Sequence, residues 1–207
     1  MAALVDFARY VRPEVPMCPE IQILDAILHA GIEFCRRTKI AQDTVDLATE
    51  VDKPDYDLTT LLATGFEPNK ILAVKREGTK ALEPSSQFDV LAEYDIADTG
   101  TPRAYYLKDR ELVLAPVPES IETLQVTLTV RPSESATTLP DELYRRFREE
   151  IAAGAKSRLM LQAAQPWANA QAGALHKFTF DAAINAENVR HAKGGGIKPL
   201  RTVINRF

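Results

Sequence analysis

The residues of this chain that most readily do chemistry are its three histidines and two cysteines. His29, His176 and His191 each fall on a predicted helix or at its end, and none has a neighbour that completes a nucleophile motif. Cys18 and Cys35 stand 17 residues apart with no histidine cluster nearby, which is not the spacing of a metal site. We therefore predict no catalytic residues, no metal and no cofactor. The histidines are predicted to be structural and the cysteines to be free thiols.

Two further features resemble chemical sites without the context that such sites need. The triplet Gly194, Gly195 and Gly196 is neither preceded by a strand nor followed by the Lys-Ser/Thr pair of a phosphate-binding loop. It is therefore predicted to be a hinge. Glu33 lies on a predicted helix and is interpreted as a solvated surface charge. The sequence thus predicts a protein that is not an enzyme.

Composition places the chain among globular proteins. It has 207 residues, 45% of them apolar and 26% charged, with a net charge of −4. These values are typical of a domain with one sizeable core, and they exclude a disulfide scaffold or a disordered polar chain. The mild acidity argues against a general nucleic-acid binder. No stretch has the roughly 18 consecutive apolar residues of a membrane span, and the N-terminal residues are not typical of a signal peptide. We therefore expect a cytosolic type of protein that contacts no membrane.

Proline placement divides the chain into elements. All 13 prolines lie outside 20–53, 141–165 and 167–198, and proline breaks helix interiors, so these gaps are predicted to hold the long helices. A shorter helix is predicted over 2–11. Between them, the alternation Leu124, Val126, Leu128 and Val130 predicts a half-buried strand. Further strands are predicted at 44–51, 70–76 and 88–94 and in a hairpin over 105–114, whereas 58–63 fits a strand or a helical turn.

The last predicted helix, over 168–192, carries apolar residues on two sides. We predict that its buried stripe consists of Ala168, Ala172, Leu175, Phe178, Ala182, Ala186 and Val189. Phe180 and Ile184 then lie on the opposite, nominally polar side, where they are predicted to form an inter-subunit contact. The alternative is that the strand region folds back and covers this pair.

The C-terminal segment combines basic and apolar residues. From Asn188 to Phe207 there are five basic residues and no acid. After the glycine hinge, this composition predicts an extended tail that docks on a partner; packing on its own subunit and disorder are the alternatives. The residues assigned to this tail are Ile197, Lys198, Leu200, Arg201, Val203, Ile204, Arg206 and Phe207.

These elements together predict an α+β fold. The predicted core is an antiparallel helical bundle built from residues 1–41 and 138–193. Residues 42–137 form an inserted antiparallel β-sheet or sandwich region, and residues 194–207 form the hinge and the extended tail.

Two separated blocks of sequence resemble head-to-tail adaptor (connector) proteins of tailed bacteriophages, of the short-tailed type. The first block contains Arg12-Pro13-Glu14-Val15-Pro16, Cys18-Pro19 and Glu33-Phe34-Cys35-Arg36-Arg37-Thr38. The second contains Leu139-Pro140-Asp141-Glu142-Leu143, then Ile151-Ala152-Ala153-Gly154-Ala155-Lys156-Ser157-Arg158-Leu159, and ends at Pro166-Trp167. The blocks cover both helical ends of the chain and bracket the strand region.

The resemblance implies a structural virion protein, assembled in the host cytoplasm and located in the neck. It implies a ring, usually of twelve copies, that lies under the portal, extends the DNA channel and supports the tail. The implied partners are further copies of the chain, the portal protein, a tail, nozzle or tail-fibre protein, and double-stranded DNA that passes without sequence-specific contacts. A tail-completion or minor head or neck protein is the alternative, and a DNA-binding adaptor a weaker one.

Overall fold

The computed structural model describes residues 1–76, 81–93 and 98–192, and these residues form two compact units. The first unit combines Met1–Ile40 with the part of the chain that begins at Leu139, and the second consists of Ala41–Thr138. The chain therefore leaves the first unit, builds the second, and returns. The fold is mixed α+β, which confirms the predicted class.

The described residues form the following elements. The α-helices are α1 (Leu4–Val11), α2 (Glu20–Arg37), α3 (Gln87–Glu93), α4 (Asp141–Met160) and α5 (Ala170–Ala192). Short 3₁₀ helices occupy Arg12–Glu14 and Leu58–Leu61. The strands are β1 (Ala2–Ala3), β2 (Gln42–Ala48), β3 (Asp55–Asp57), β4 (Phe66–Arg76), β5 (Glu83–Pro84), β6 (Thr99–Gly100), β7 (Ala104–Lys108), β8 (Glu111–Ala115), β9 (Val117–Pro118), β10 (Thr123–Pro132) and β11 (Thr138–Leu139).

One side of helix α2 belongs to the core of the first unit, because its apolar residues recur at helical spacing. Ile23, Ile27 and Phe34 are fully buried along one side of the helix. The helix begins directly after Pro19, a position where the missing N–H costs no hydrogen bond. It ends at Thr38, whose backbone N–H and hydroxyl both donate to the carbonyl of Phe34. The helix predicted in this gap is confirmed.

The second unit is built from strands. A three-stranded antiparallel sheet has the order β2-β10-β4, and a four-stranded sheet has the order β3-β8-β7-β5. Both sheets contribute side chains to one hydrophobic core, which includes Val74 and Val126 from the first sheet and Tyr105 and Leu112 from the second. Burial of apolar side chains from two sheets in one core is the main stabilising interaction of such a unit.

Two strand predictions are confirmed residue by residue. In β10, Leu124, Val126 and Leu128 are completely buried, as the alternation predicted. The predicted hairpin is formed by β7 and β8, which pair antiparallel from Ala104–Ala115 to Lys108–Glu111. For the stretch over 58–63 the sequence allowed either a strand or a helical turn, and the structure has a short 3₁₀ helix at Leu58–Leu61.

Two details of the second unit differ from the prediction. Residues 88–94 were expected to form a strand, but Gln87–Glu93 is helix α3. The reason is local: the backbone N–H of Asp89 donates to the hydroxyl of Ser86, and this N-cap favours a helix over a strand. The pairs β5–β7 and β6–β9 are short and parallel, whereas only antiparallel pairing was expected.

The predicted hinge and tail lie outside the described residues. This applies to Gly194, Gly195 and Gly196 and to the tail residues Ile197, Lys198, Leu200, Arg201, Val203, Ile204, Arg206 and Phe207. Their predicted roles remain predictions.

Candidate assembly surface

Helix α5 is packed against α2 and α4 through the two residues that were predicted to be exposed. Phe180 and Ile184 are each only 1% exposed. The ring of Phe180 lies 5.9 Å from the ring of Phe34 on α2. The prediction that Phe180 and Ile184 lie on an exposed face is therefore wrong. A side chain with 1% exposure has no surface to offer another subunit. Phe180 and Ile184 are therefore core residues of the first unit and not the inter-subunit contact that was predicted.

The close approach of α4 and α5 depends on Gly154. A Cβ at this position would lie 2.7 Å from Cδ2 of Phe180 and 3.1 Å from Cβ of Ala30. The absence of a side chain therefore makes room for the phenyl ring. The run of small residues from Ala152 to Ala155 permits this close approach.

A cluster of ion pairs holds the middle of α5 on α2 and α4. Asp181 accepts a hydrogen bond from Arg37 at 2.6 Å, and Glu33 accepts from both Arg37 and Arg158. Lys177 lies 3.5 Å from Glu33. Burial raises the pKa of Glu33, but the hydrogen bond from Arg37 and the neighbouring cations outweigh it and keep that pKa below its usual value. Glu33, interpreted from the sequence as a solvated charge, thus joins three helices.

A second cluster lies near the C-terminal end of α5 and centres on a buried carboxylate. Glu187 is 3% exposed and accepts hydrogen bonds from Arg146 of α4 and from Arg190. His191 lies 3.2 Å away. The hydrogen bond from Arg190 holds the pKa of Glu187 below its usual value, against the opposing effect of burial. Since Arg146 belongs to another helix, this carboxylate fixes the rotation of α5 about its own axis.

A third cluster connects the first turn after α1 to α4 and α5. Glu14 accepts a hydrogen bond from Lys156 at 2.5 Å, and its other oxygen lies 2.8 Å from Nε2 of His176. The hydrogen bond from Lys156 lowers the pKa of Glu14. His176 therefore has a structural partner, in the same way that His29 lies beside Asp25 at 3.5 Å.

The side of α5 that faces solvent is the side that was predicted to be buried. Phe178 is 72% exposed, Leu175 66% and Val189 52%. Residues two positions apart on an α-helix differ by about 200° around its axis. Phe178 and Phe180 therefore lie on nearly opposite sides of α5. We define the outer face of α5 by its exposed residues on this side. They are Gln171, Ala174, Leu175, Phe178, Thr179, Ala182, Asn185, Ala186, Val189 and Ala192.

The outer face of α5 carries no charged residue over its whole length. All six histidine, lysine, arginine, aspartate and glutamate residues of α5 lie on its other side or at the edges, where they form the ion pairs described above. This is the reverse of an ordinary surface helix, which turns its charges to water and its apolar residues inward. An exposed apolar stripe of this kind marks an interaction surface.

The cysteines do not form a reactive site. Both are buried free thiols, and burial raises the pKa of Cys35 to about 12. The thiolate is the reactive form, so a raised pKa makes this group inert at neutral pH. Among the residues that the structure describes, no group of histidine, cysteine and carboxylate side chains is arranged to hold a metal ion. In the same residues, no helix is long and apolar enough to cross a membrane.

The second unit has open concavities with polar walls. One of them is lined by Thr59, Ser133, Thr137, Glu67 and Arg110, among others. The carboxylate of Glu67 lies 2.9 Å from Arg110 and 3.1 Å from Arg131, so it is held in ion pairs rather than presented to a ligand. The outer face of α5 is therefore the stronger candidate for a functional surface.

Comparison with protein families identifies the chain. The model of the family described as "SU10 adaptor protein" matches residues 3–201, which include both units. No curated protein matches the chain significantly. The family match confirms the resemblance to phage head-to-tail adaptors that the two sequence blocks indicated. The chain therefore belongs to the SU10 adaptor protein family, a family of bacteriophage adaptor proteins.

Proposed function

We propose that this chain is the head-to-tail adaptor of a short-tailed phage, a structural protein of the virion neck and not an enzyme. Twelve copies form a ring under the portal, extend the DNA channel and provide the platform for the tail, nozzle or tail-fibre protein. The observation that carries this proposal is the family match across residues 3–201, which is not limited to one of the two units.

The charge of the chain supports a channel role. Its net charge is −4, and the double helix that passes through a channel is densely negative. A protein that neutralised many phosphates would hold the DNA and oppose its movement, so a mildly acidic subunit suits a channel that must let DNA pass. This argument also disfavours the alternative of a DNA-binding adaptor.

The tail that follows α5 is proposed to dock on the portal. Residues 197–207 contain three basic residues, Lys198, Arg201 and Arg206, and five large apolar ones. An extended segment of this composition can add to a groove or a sheet edge, with apolar anchors in pockets and cations on an acidic rim. Gly194, Gly195 and Gly196 would provide the hinge between this segment and α5.

The direct test mixes the full-length chain with purified portal rings of the same phage and measures the bound copies by native mass spectrometry. The proposal predicts a discrete complex with twelve copies on one portal. A chain that binds a tail protein but not the portal would instead be a tail-completion protein. Binding to DNA alone, with steep salt dependence, would favour the DNA-binding adaptor.

Variants of the tail test its role separately. Deletion of residues 197–207 is expected to abolish portal binding, whereas the circular dichroism spectrum of the folded chain stays unchanged. A matched variant with Lys198→Gln, Arg201→Gln and Arg206→Gln keeps the apolar anchors and is expected to bind more weakly and with less dependence on salt. If the deletion variant binds the portal as well as the full-length chain, the tail has no docking role.

A further inference from the structure

The first unit has a further exposed surface, on α1 and α4, where arginine side chains lie against tyrosine rings. Cζ of Arg9 lies 5.0 Å from the centre of the Tyr10 ring and 5.7 Å from that of Tyr144, and Arg9 also donates to the Tyr144 hydroxyl. Cζ of Arg148 lies 5.8 Å from the centre of the Tyr10 ring. The Tyr144 ring is anchored by an edge-on contact with buried Phe7. We call Arg9, Tyr10, Tyr144 and Arg148 the arginine–tyrosine cluster.

The two guanidinium groups of this cluster have no ionic partner in the part of the chain that the structure describes. Both arginines are exposed. Asp6, which lies one turn before Arg9 on α1, accepts a hydrogen bond from the backbone N–H of Ala3 at 3.2 Å instead. A guanidinium that stacks on an aromatic ring keeps its in-plane N–H groups for a planar oxyanion, and it is already oriented before that oxyanion binds. The cluster is therefore suited to the oxyanions of a partner.

The second unit has a tip that combines carboxylates with apolar side chains. Two loops form this tip and are hydrogen-bonded to each other: the backbone N–H of Thr49 donates to the carbonyl of Glu122 at 2.8 Å, and that of Asp52 donates to the carbonyl of Pro118 at 3.0 Å. The exposed residues by which we define the tip are Val51 (50% exposed), Asp52, Glu119 and Ile121 (74% exposed). Exposed apolar side chains on loops that are held in place indicate an interaction surface.

The carboxylates of the tip are also without an ionic partner among the described residues. Asp52 and Glu119 are both exposed, and neither forms an ion pair there. The cation next to Asp52 in the chain, Lys53, is already paired with Glu50 at 2.7 Å. The tip therefore presents two negative charges beside apolar side chains, and the arginine–tyrosine cluster presents two positive charges beside aromatic rings.

The two units also carry net charges of opposite sign. Residues 41–138 contain 18 acidic and 9 basic residues, whereas the rest of the chain contains 11 acidic and 16 basic ones. Complementary charges steer two surfaces together and fix their orientation. Arginine and tyrosine are also the residue types that most often anchor protein–protein contacts. Phosphate groups of DNA would neutralise the arginines but would leave the tip uncovered, so these observations favour a second copy of the chain as the partner.

We propose that the arginine–tyrosine cluster of one subunit binds the tip of the second unit in the next copy of this chain. The two guanidinium groups pair with the two carboxylates of the tip, and the tyrosine rings cover its apolar side chains. A closed ring with cyclic symmetry requires two different, complementary surfaces on each subunit, and the cluster and the tip supply them. This inference rests on the proposed ring and names a contact that closes it.

Reversing the charge of either surface tests the contact. The cluster variant combines Arg9→Glu with Arg148→Glu, and the tip variant combines Asp52→Asn with Glu119→Lys. Asparagine is chosen at position 52 because the backbone there has φ 61°, which asparagine tolerates. Each variant alone brings like charges together, so each is expected to lower the ring population on the portal roughly tenfold or more by native mass spectrometry.

Mixing the two variants tests the pairing itself. In an alternating ring, the reversed cluster of one variant faces the reversed tip of the other, and the two unmodified surfaces face each other. Every contact is then attractive, so an equal mixture is expected to restore a ring that contains equal numbers of both variants, which differ in mass. Recovery of the ring also shows that both variants are folded. A mixture that forms no ring would overturn the pairing.

The matched control is the variant Lys70→Glu with Lys108→Glu. Both lysines are exposed on the second unit, at the ends of their strands away from the tip, and their replacement changes the net charge as much as the cluster variant does. This control is expected to form normal rings. Loss of the ring in the control would show that net charge and not this contact governs assembly, and it would overturn the inference.

The remaining outcomes separate the inference from the proposed function. If the unmodified chain forms no ring with or without the portal, the proposed function fails and the inference fails with it. If the cluster variant forms normal rings, only the inference fails. Normal rings combined with weaker binding to a DNA duplex would assign the cluster to phosphate groups, and loss of the ring in the cluster variant but not in the tip variant would assign it to the portal. Both results would overturn the inference.

Discussion

Replacing Phe180 and Phe178 by alanine, one at a time, separates the two sides of α5. The residues have the same side chain on the same helix, two positions apart, but Phe180 is 1% exposed and Phe178 is 72% exposed. Removal of a fully buried phenyl group loses about 2 to 3 kcal/mol of transfer free energy. It also leaves a cavity beside Gly154 and ends the contact with Phe34. We therefore expect Phe180→Ala to lower the free energy of unfolding by about 3–5 kcal/mol.

Phe178→Ala should change that free energy by no more than about 0.5 kcal/mol, as is usual for an exposed position. The assay is urea unfolding at a concentration where the chain is monomeric. Trp167 is the only tryptophan of the chain and belongs to the first unit, so its fluorescence follows the unit that contains α5. The described orientation of α5 would be refuted if Phe178→Ala cost as much as Phe180→Ala, or if Phe180→Ala were nearly neutral.

Three further predictions concern the contacts within the two units. Gly154→Ala should lower the free energy of unfolding by about 1–3 kcal/mol despite the better helix propensity of alanine, and adding Phe180→Leu should restore part of the loss, as measured by the same urea titration. Glu187→Gln should cost about 1–3 kcal/mol at pH 7, because Arg146 loses an ionic partner. Folding lowers the pKa of Glu187, so the stabilisation from its ionised carboxylate is complete above about pH 4.5 and is lost as the pH falls through the pKa of the folded state. The free energy of unfolding of the Glu187→Gln variant should therefore decrease less on acidification than that of the unmodified chain. The same pH dependence in both proteins would contradict this prediction. Tyr56→Phe should cost about 1–2 kcal/mol, since the buried hydroxyl that bonds the backbone of the preceding turn is removed, and no change in the thermal midpoint would refute this.

Local sequence patterns predicted which helices and strands form better than they predicted how these elements pack against one another. The alternation in β10 and the helical spacing in α2 determine which side of each element is buried, because only one side is apolar. The strand predicted over 88–94 was wrong, because the N-cap formed by Ser86 stabilises a helix there. That cap is a sequence signal and could have been used.

The orientation of α5 could not be deduced in this way, because both of its sides carry large apolar residues. Its charged residues cluster on one side, which normally indicates the side that faces water. Here that side is buried, because the charges are neutralised by residues far away in the sequence: Asp181 pairs with Arg37, 144 positions earlier, and Glu187 with Arg146. No local pattern contains such partners. Gly154 was an indirect signal of this orientation, because a glycine inside a helix makes room for a large side chain of a neighbouring helix, here Phe180.

The most direct test of the central claim is electron cryomicroscopy of the complex that this chain forms with the portal protein of its phage. We predict a closed ring of copies seated on the portal. Isolated copies on the portal without lateral contacts, or a portal that binds no copies, would contradict the claim.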